Sequence, residues 1–445
     1  MRFFHKSIYR QLPVISILLF CLIKIGNAQD TLTLQEAISI TLKSNHGIKV
    51  VQNEIKISQN NARAGNAGLL PKLDLSGGGN MSINNTKIEF SGAIPDIEEK
   101  GAKSFTYNGS ASLNYTLFDG LGRFNSLKKL RALGTFAEAE ARLEIEAGIL
   151  QTAFAFLEVA RQHQATEVAG EALSISLERV ERAKIAYEYG AGNKLDMLNA
   201  EVDLNADSVN YLTAHLNLQN AKRELNQLLG RDARVDFEVQ GNISLKKKFN
   251  PEELRKKAAK NNAAILLSEV ALNISERDLN ISKSLHYPRI DVSASYDYIK
   301  QTNDAGLILS NRNAGFNGGV AVSYNIFDGF RKNIQVQNAK IEIENNKERY
   351  AEAQKAVMKD FEAAYANLEN SLTILSMQQK NLQTAILNFE KTKETFDRGQ
   401  ATGTQFREAQ LNLTRAKFNI SNSTFNAKAH ELDVLRISGE LISGY

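Results

Sequence analysis

The chain has 445 residues, and its 54 lysines and arginines against 50 aspartates and glutamates give a formal net charge of +4. All four excess cations can be assigned to the first 28 residues, as Arg2, Lys6, Arg10 and Lys24. The remainder is formally neutral and contains no compact basic patch with interleaved aromatic residues, so the sequence gives no indication of nucleic-acid binding. With only 5 prolines and no tryptophan, the composition favours long helices over several compact domains.

The N-terminus has the organisation of an export signal. Cations precede an apolar run from Val14 to Ile23, and Gly26-Asn27-Ala28 offers small residues for cleavage. A membrane anchor is the alternative, but it needs about 20 apolar residues, roughly twice the length of this run. The sequence therefore predicts a signal peptide at 1–28 and a mature chain that begins at Gln29.

The single cysteine, Cys21, lies inside this apolar run. A lipoprotein carries its cysteine after a small residue at the cleavage point, whereas Phe20 precedes Cys21. We therefore assign Cys21 to the signal peptide. The mature chain is then expected to contain neither a disulfide nor a thiol metal ligand.

The second half of the sequence repeats the first. Phe118-Asp119-Gly120 aligns with Phe327-Asp328-Gly329 at a shift of 209 residues, and the same shift relates Gly190 to Gly399. Solenoid repeats have periods of about 20 to 50 residues, so this period indicates a duplicated half-molecule. The predicted segments after the signal are a first repeat at 29–230, a linker at 231–250 and a second repeat at 251–445.

Each repeat begins with an amphipathic helical stretch that ends before a proline. These stretches cover Leu34 to Leu69 before Pro71, and Leu254 to Leu285 before Pro288. Proline cannot continue a helix and favours extended backbone at the residue before it. The two prolines therefore mark the predicted junctions between helix and strand.

Two segments that alternate apolar and polar residues follow each proline, and this period of two predicts one β-hairpin per repeat. The last of the four strands is predicted to include Tyr324 and Ile326. We expect strands of about 9 to 11 residues with hairpin loops at 84–104 and 299–315.

The returning strand of each repeat closes in Phe-Asp-Gly. There Asp119 or Asp328 is placed to cap the next helix by accepting backbone N–H bonds. A breaker-poor stretch of about 70 residues then runs to a glycine turn, and at about 1.5 Å per residue it would form a rod of roughly 100 Å. A second helix is expected to return from each turn, to about Gly230 and Gly439.

The alternating strands have the pattern of transmembrane β-strands, with apolar side chains facing lipid and Ser, Asn and Thr facing water. A soluble sheet with one buried face has the same alternation, but the export signal favours the membrane. Four strands cannot close a barrel, and open strand edges are unsatisfied in lipid. Several chains must therefore pool their strands, and since two chains would leave little lumen, three is the smallest attractive number.

The returning helices carry two apolar stripes. In the first repeat Val202, Val209 and Leu216 recur at heptad spacing, and a second stripe lies about 200° around the helix. That second stripe contains Leu204, Tyr211, Leu218 and Leu225. A helix with an apolar seam on each flank is typical of the wall of a helical barrel, although a large soluble bundle also widens the apolar face.

The Pro-to-hairpin junctions, the strand exits N-Y-T-L-F-D-G and S-Y-N-I-F-D-G, and the glycine-turned long helices resemble the TolC-like outer-membrane efflux proteins. The resemblance covers essentially the whole mature chain. It implies a mainly α fold with a small β part, in which a homotrimer forms a 12-stranded outer-membrane β-barrel and a periplasmic α-barrel. It further implies a passive exit duct, joined by a periplasmic adaptor protein to an inner-membrane RND or ABC transporter.

In that family two glycine turns form the periplasmic tip that meets the adaptor. Here these turns are Gly190-Ala191-Gly192 and Gly399-Gln400-Ala401. In that family the tip closes by helix coiling and by acidic rings just past the turns, so the resemblance implies, by position, the gate candidates Asp196 and Glu408. The sequence departs from the family pattern at Gln405, where a second aspartate would stand. Carboxylates are favoured near helix N-termini in any case, so a solvated helix face is the alternative for both candidates.

The sequence contains no recognisable catalytic, metal or cofactor motif. Its six histidines are scattered and form no H-x-x-x-H pair. The turn at Gly190-Ala191-Gly192 lacks the third glycine of a dinucleotide fingerprint. We therefore predict that the protein is not an enzyme, binds no cofactor, and depends on a partner for the energy of transport.

Two other functions fit the same patterns. The chain could be the outer-membrane component of a type I protein-secretion system, because a smooth polar tunnel need not recognise its cargo. A periplasmic coiled-coil scaffold is a third interpretation, and it would be extracted from cells without detergent.

Overall fold

The computed structural model describes residues 31–92, 95–241, 243–245 and 249–442. The predicted signal peptide and its cleavage site lie outside the described residues. The helices and strands of the described part, in chain order, are α1 (Leu34–Ser44), α2 (His46–Asn61), β1 (Lys72–Ile88), β2 (Ile97–Phe118), α3 (Gly122–Glu188), α4 (Lys194–Leu228), α5 (Pro251–Asn261), α6 (Ala263–Ser284), β3 (Arg289–Asn303), β4 (Ser310–Ser323), α7 (Arg331–Asp397) and α8 (Gly403–Ile437).

The fold is mainly α with one small antiparallel sheet, which confirms the predicted class. Both halves show the same succession of two shorter helices, a β-hairpin and two longer helices. The long helices α3 and α7 contain 67 residues each, and the returning helices α4 and α8 contain 35 each. At about 1.5 Å per residue the long helices extend for roughly 100 Å.

The first helical stretch of each repeat is broken in two, so the prediction of one continuous helix was wrong. The breaks lie at Asn45 and Asn262, whose extended backbones end one helix and cap the next. The amide of Asn45 donates to the Leu228 carbonyl at 2.9 Å, and that of Asn262 donates to the Ile437 carbonyl at 2.9 Å. Each asparagine thereby ties the short helices to the end of a returning helix. The helix α2 also ends at Asn61, before the predicted boundary.

The four strands form one sheet in the order β1-β2-β3-β4, with every neighbouring pair antiparallel. The pairs β1–β2 and β3–β4 are the two predicted hairpins, and β2–β3 joins the repeats. The outer edges of β1 and β4 have no strand partner in the described chain.

The strands are longer than predicted, at 17, 22, 15 and 14 residues. The predicted loops at 84–104 and 299–315 therefore fall largely within strands, since β1 pairs with β2 as far as Ile88 and Ile97. Backbone pairing continues there because ladder hydrogen bonds do not depend on apolar alternation. The alternation weakens where the side chains become charged or polar.

The last strand ends earlier than predicted, because β4 stops at Ser323 and excludes Tyr324 and Ile326. Ser323 pairs with Arg289, the first residue of β3. Beyond this point β4 has no neighbour that could continue the ladder within the described chain.

The two faces of the sheet differ in chemistry. One face, here called the apolar face, carries exposed Leu75, Tyr296, Phe316 and Val320, with the rings of Tyr296 and Phe316 4.8 Å apart. The opposite face carries hydrogen-bonded polar side chains. Ser110 and Ser295 donate to the carboxylate of Asp297 at 2.5 and 2.6 Å, and the Asn317 amide donates to it at 2.8 Å.

The helices pack around the level where the short helices meet the long ones. There α6 lies against both α3 and α7, and α8 also packs on α3. Large buried side chains at this level include Phe156, Leu225, Phe361 and Leu432. None of the helices in the described part of the chain combines the length and the apolar content that a membrane crossing needs.

Candidate functional site

The first strand-to-helix junction is held by one ion pair. The carboxylate of Asp119 accepts the Arg123 backbone N–H at 3.0 Å and its Nε–H at 3.1 Å. The same guanidinium donates to the Gly68 carbonyl at 2.8 Å and to the Thr116 carbonyl. Since Phe118 ends β2 and Pro71 directly precedes β1, Arg123 ties both strands of the hairpin to α3.

The second junction has the same arrangement but forms fewer hydrogen bonds. Asp328 accepts the Lys332 backbone N–H at 3.2 Å, and the Lys332 ammonium donates to the Asn325 carbonyl at 3.0 Å. Lysine thus stands where the first repeat has arginine, and it lacks the planar fork that contacts several acceptors at once. The exposed rings of Phe327 and Phe330 meet edge to face at 5.4 Å.

The glycines of the two junctions differ in how closely other atoms approach them. Gly120 and Gly329 have left-handed φ values of 68° and 71°. A Cβ on Gly120 would lie 2.6 Å from the Ser284 carbonyl oxygen and 2.8 Å from the Tyr287 Cβ, whereas a Cβ on Gly329 would meet nothing within 4 Å. The first junction therefore packs tightly on the end of α6 and on Tyr287, the residue before Pro288, whereas Gly329 of the second junction has no such close contact.

The two apolar stripes of α4 have different surroundings. Leu218 and Leu225 of the second stripe are buried against α3. In contrast, Val202, Val209 and Leu216 of the first stripe are 67%, 63% and 56% exposed. A single chain therefore covers one seam of this helix and leaves the other open.

The two glycine turns are C-terminal caps of the long helices. Gly190 and Gly399 adopt left-handed φ values of 69° and 74°. The next residues, Ala191 and Gln400, donate their backbone N–H groups to the carbonyls of Ala186 and Thr395 at 2.8 and 2.9 Å. This is the Schellman pattern of bonds, which ends a helix sharply and reverses the chain. The turns are completed by Gly192 and Ala401, which stand directly before the caps of α4 and α8.

The gate candidates Asp196 and Glu408 lie on different helices, α4 and α8, and both side chains are exposed. The backbone N–H of Asp196 donates to the N-cap Asn193 at 2.8 Å. At the equivalent place in α8, Gln405 completes a capping box, because its side chain accepts the Thr402 N–H at 2.9 Å. The departure at Gln405 therefore has a structural role at the start of α8.

A buried polar cluster, which the sequence did not predict, lies in the helices close to these turns. Arg407 of α8 donates two bonds to the Asp207 carboxylate of α4, at 2.5 and 3.0 Å. The side chains of Asp207 and Arg407 are only 5% and 13% exposed. We call this group the Arg407 cluster, and its members are Ser176, Arg179, Asp203, Asp207, Arg407 and Gln410.

The Arg407 cluster joins the helical hairpin of the first repeat to that of the second. Ser176 of α3 donates to Asp207 at 2.5 Å, and the Gln410 amide of α8 donates to the Ala172 carbonyl of α3 at 3.0 Å. Burial disfavours the charge on Arg407, but the hydrogen bonds and charges of Asp207 and Asp203 outweigh it, so the pKa of Arg407 is raised above its ordinary value. The guanidinium stays charged throughout the physiological range.

Comparison with known proteins identifies the family of this chain. The family described as Outer membrane efflux protein matches residues 37–231 and 254–440, which is most of the chain in two segments. The chain belongs to the outer membrane efflux protein family. The resemblance noted in the sequence is thereby confirmed, and so is the location in the outer membrane.

The relatives of this chain are distant in sequence, but their alignments cover most of it. Outer membrane protein TolC of Escherichia coli strain K12 is 22% identical over 359 residues, which cover 77% of this chain and 71% of TolC. Outer membrane efflux protein BepC of Brucella suis biovar 1 is 20% identical over 442 residues, covering 99% and 92%. The crystal structure of the Campylobacter jejuni CmeC outer membrane channel superposes with a TM-score of 0.76 at 16% identity, covering 92% and 86%. Since the identity is low, this structural likeness shows the fold alone.

The contrast between Gly120 and Gly329 predicts unequal effects of alanine in this efflux protein. Gly329→Ala should destabilise the fold by about 1–2 kcal/mol, the cost of left-handed backbone for an L-residue. Gly120→Ala should cost clearly more, because its Cβ also clashes with fixed backbone of α6. The melting temperature of each variant is measured in detergent from the loss of the helical circular-dichroism signal on heating. Equal melting temperatures would show that the close packing at Gly120 is not maintained.

Proposed function

We propose that three copies of this chain pool their sheets into a 12-stranded barrel in the outer membrane, and their long helices into an α-barrel through the periplasm. The observation that carries the proposal is a pair of unpartnered surfaces. In the described part of the chain the outer edges of β1 and β4 have no strand partner, and open edges are not tolerated in lipid. The exposed stripe of Val202, Val209 and Leu216 gives the helices a matching open seam.

The trimer would act as a passive exit duct of a tripartite efflux system. An inner-membrane RND or ABC transporter would supply the energy, and a periplasmic adaptor would contact the tips formed by Gly190-Ala191-Gly192 and Gly399-Gln400-Ala401. The sharp Schellman reversal at each turn supports this role, because it presents a short, hydrogen-bonded turn at the far end of each long helix.

We further propose that Asp196 and Glu408 form the gate at this tip. Both are exposed in the single chain, and the position of Asp196 in the first turn of α4 is electrostatically favourable for a carboxylate. The division into repeats at 29–230 and 251–445, with a linker at 231–250, belongs to the same proposal. The junction residues Pro71, Phe118, Asp119, Gly120, Pro288, Phe327, Asp328 and Gly329 would mark the passage from barrel to helices.

Two measurements test the duct. Cells that lack the gene should retain a fluorescent dye that wild-type cells export when energised, and a plasmid copy should restore export. The purified protein should also form conducting pores in planar lipid bilayers without nucleotide. Absence of both dye export and pores would refute the duct. Normal dye export together with loss of a secreted protein would assign the duct to type I secretion instead.

A further inference from the structure

The apolar face of the sheet ends in a row of cations. Along β3 this face presents residues 290, 292, 294, 296 and 298, from Ile290 to Tyr298. At about 3.4 Å per residue this run covers about 27 Å of strand. Strands of outer-membrane barrels tilt by about 40°, so the run spans about 20 Å along the barrel axis, close to the roughly 25 Å apolar band of such barrels. Lys300 is the next residue on the same face.

The cations form one cross-strand row with an aromatic ring. Lys300 pairs with Tyr107 of β2 on one side and with Arg312 of β4 on the other. All three side chains are exposed, and Tyr107 is 54% exposed. Neither cation forms an ion pair within the described chain. Tyrosine at such a level is typical of the interface between lipid and water.

A directly opposed pair of like charges is unfavourable in a sheet. The rows next to Lys300 and Arg312 on this face offer no carboxylate, since they hold Tyr298 and Ala314 on one side and Thr302 and Ser310 on the other. Asp304, which follows the end of β3, uses its carboxylate to accept the Lys103 backbone N–H at 3.3 Å. An anion seated between the Lys300 and Arg312 side chains would remove their repulsion.

We propose that Lys300 and Arg312 bind the phosphate groups of outer-leaflet lipid. The row lies just past one end of the apolar band, the end farther from the helices. In the proposed orientation this is the level of the lipid headgroups on the cell surface. Lysine and arginine are the side chains that recognise phosphate, arginine by bidentate hydrogen bonds. A lipid matches both the apolar face and the cations, because its acyl chains cover the apolar face while its phosphates contact the cations. The assignment rests on the proposed placement of the sheet in the membrane.

The test uses the purified full-length protein in detergent with diphosphoryl lipid A and with the same lipid after removal of both phosphates. Native mass spectrometry counts the bound lipids. Because each cation near an anionic lipid surface adds to the binding energy, Lys300→Gln with Arg312→Gln should weaken binding of the phosphorylated lipid by roughly tenfold or more. The matched control is Lys355→Gln with Arg415→Gln, which removes two exposed cations from α7 and α8 and should bind like wild type.

Three results would overturn the proposal. They are unchanged lipid binding by the Lys300→Gln, Arg312→Gln variant, equal binding of the dephosphorylated lipid by wild type, and full displacement by inorganic phosphate at the concentration of the lipid. Membrane fractionation of the same strains separates this failure from a failure of the duct. A variant that reaches the outer membrane yet binds lipid A like wild type contradicts only the phosphate site. Wild-type protein that never reaches the membrane contradicts the duct itself.

Discussion

Val209→Asp is expected to abolish assembly of the trimer. Val209 is 63% exposed in the single chain, at the middle of the stripe that the proposal places between subunits. Burying an unpaired carboxylate there costs several kcal/mol, and a loss of about 3 kcal/mol weakens association by roughly 150-fold. Three equivalent interfaces each carry the substitution. Native mass spectrometry of the detergent-extracted protein should therefore show monomers where the wild type shows trimers.

The control is Asn210→Asp, which adds the same charge at the next residue, about 100° around the helix from the stripe. Asn210 is also exposed, so a general effect of charge on α4 would appear in both variants. The Asn210 variant should stay trimeric. If the Val209 variant also remains trimeric, the exposed stripe is not the seam between subunits.

Arg407→Ala is expected to separate the two helical hairpins near the tip. It would leave Asp207, whose side chain is 5% exposed, as a buried carboxylate that has lost its bidentate partner. Breaking a buried pair from one side costs about 3–5 kcal/mol. Because the bond joins α4 to α8, the loss should appear both as a lower melting temperature and as a wider tip, with a higher conductance in planar bilayers.

A double-mutant cycle isolates this interaction. In an Asp207→Asn background the Arg407→Ala change should cost much less than alone, because no carboxylate is left unpaired. The matched control is Arg415→Ala, which removes an exposed arginine from the same helix and should change neither conductance nor melting. Equal costs of Arg407→Ala in both backgrounds would show that the pair does not hold the hairpins together.

The sequence predicts the helical framework well because strong local signals bound it. Glycines at 190 and 399 can adopt the left-handed backbone that ends a helix, and α3 and α7 end two residues before them. Prolines at 71 and 288 stand immediately before β1 and β3. These residue types act through their own backbone preferences, so neighbouring structure is not needed to recognise them.

Features that depend on distant contacts escape the sequence. Asn45 breaks a helix because its amide reaches the carbonyl of Leu228, far along the chain. The length of the strands depends on pairing between backbones, which polar side chains do not prevent. A partial signal for the Arg407 cluster exists in the internal repeat, since Leu198 and Ala416 occupy the positions equivalent to Arg407 and Asp207. A charge present in only one copy marks a place where the two halves differ in partners.

The most direct test of a duct that spans the outer membrane is cysteine labelling in intact cells. The only cysteine, Cys21, lies in the predicted signal peptide, so single-cysteine variants need no other change. Leu307→Cys lies in the β3–β4 turn, where Leu307 is 68% exposed, and Ala191→Cys lies at the proposed periplasmic tip. A membrane-impermeant reagent should label position 307 in intact cells and position 191 only after the outer membrane is opened. Protection of position 307 until the membrane is opened would contradict the spanning duct.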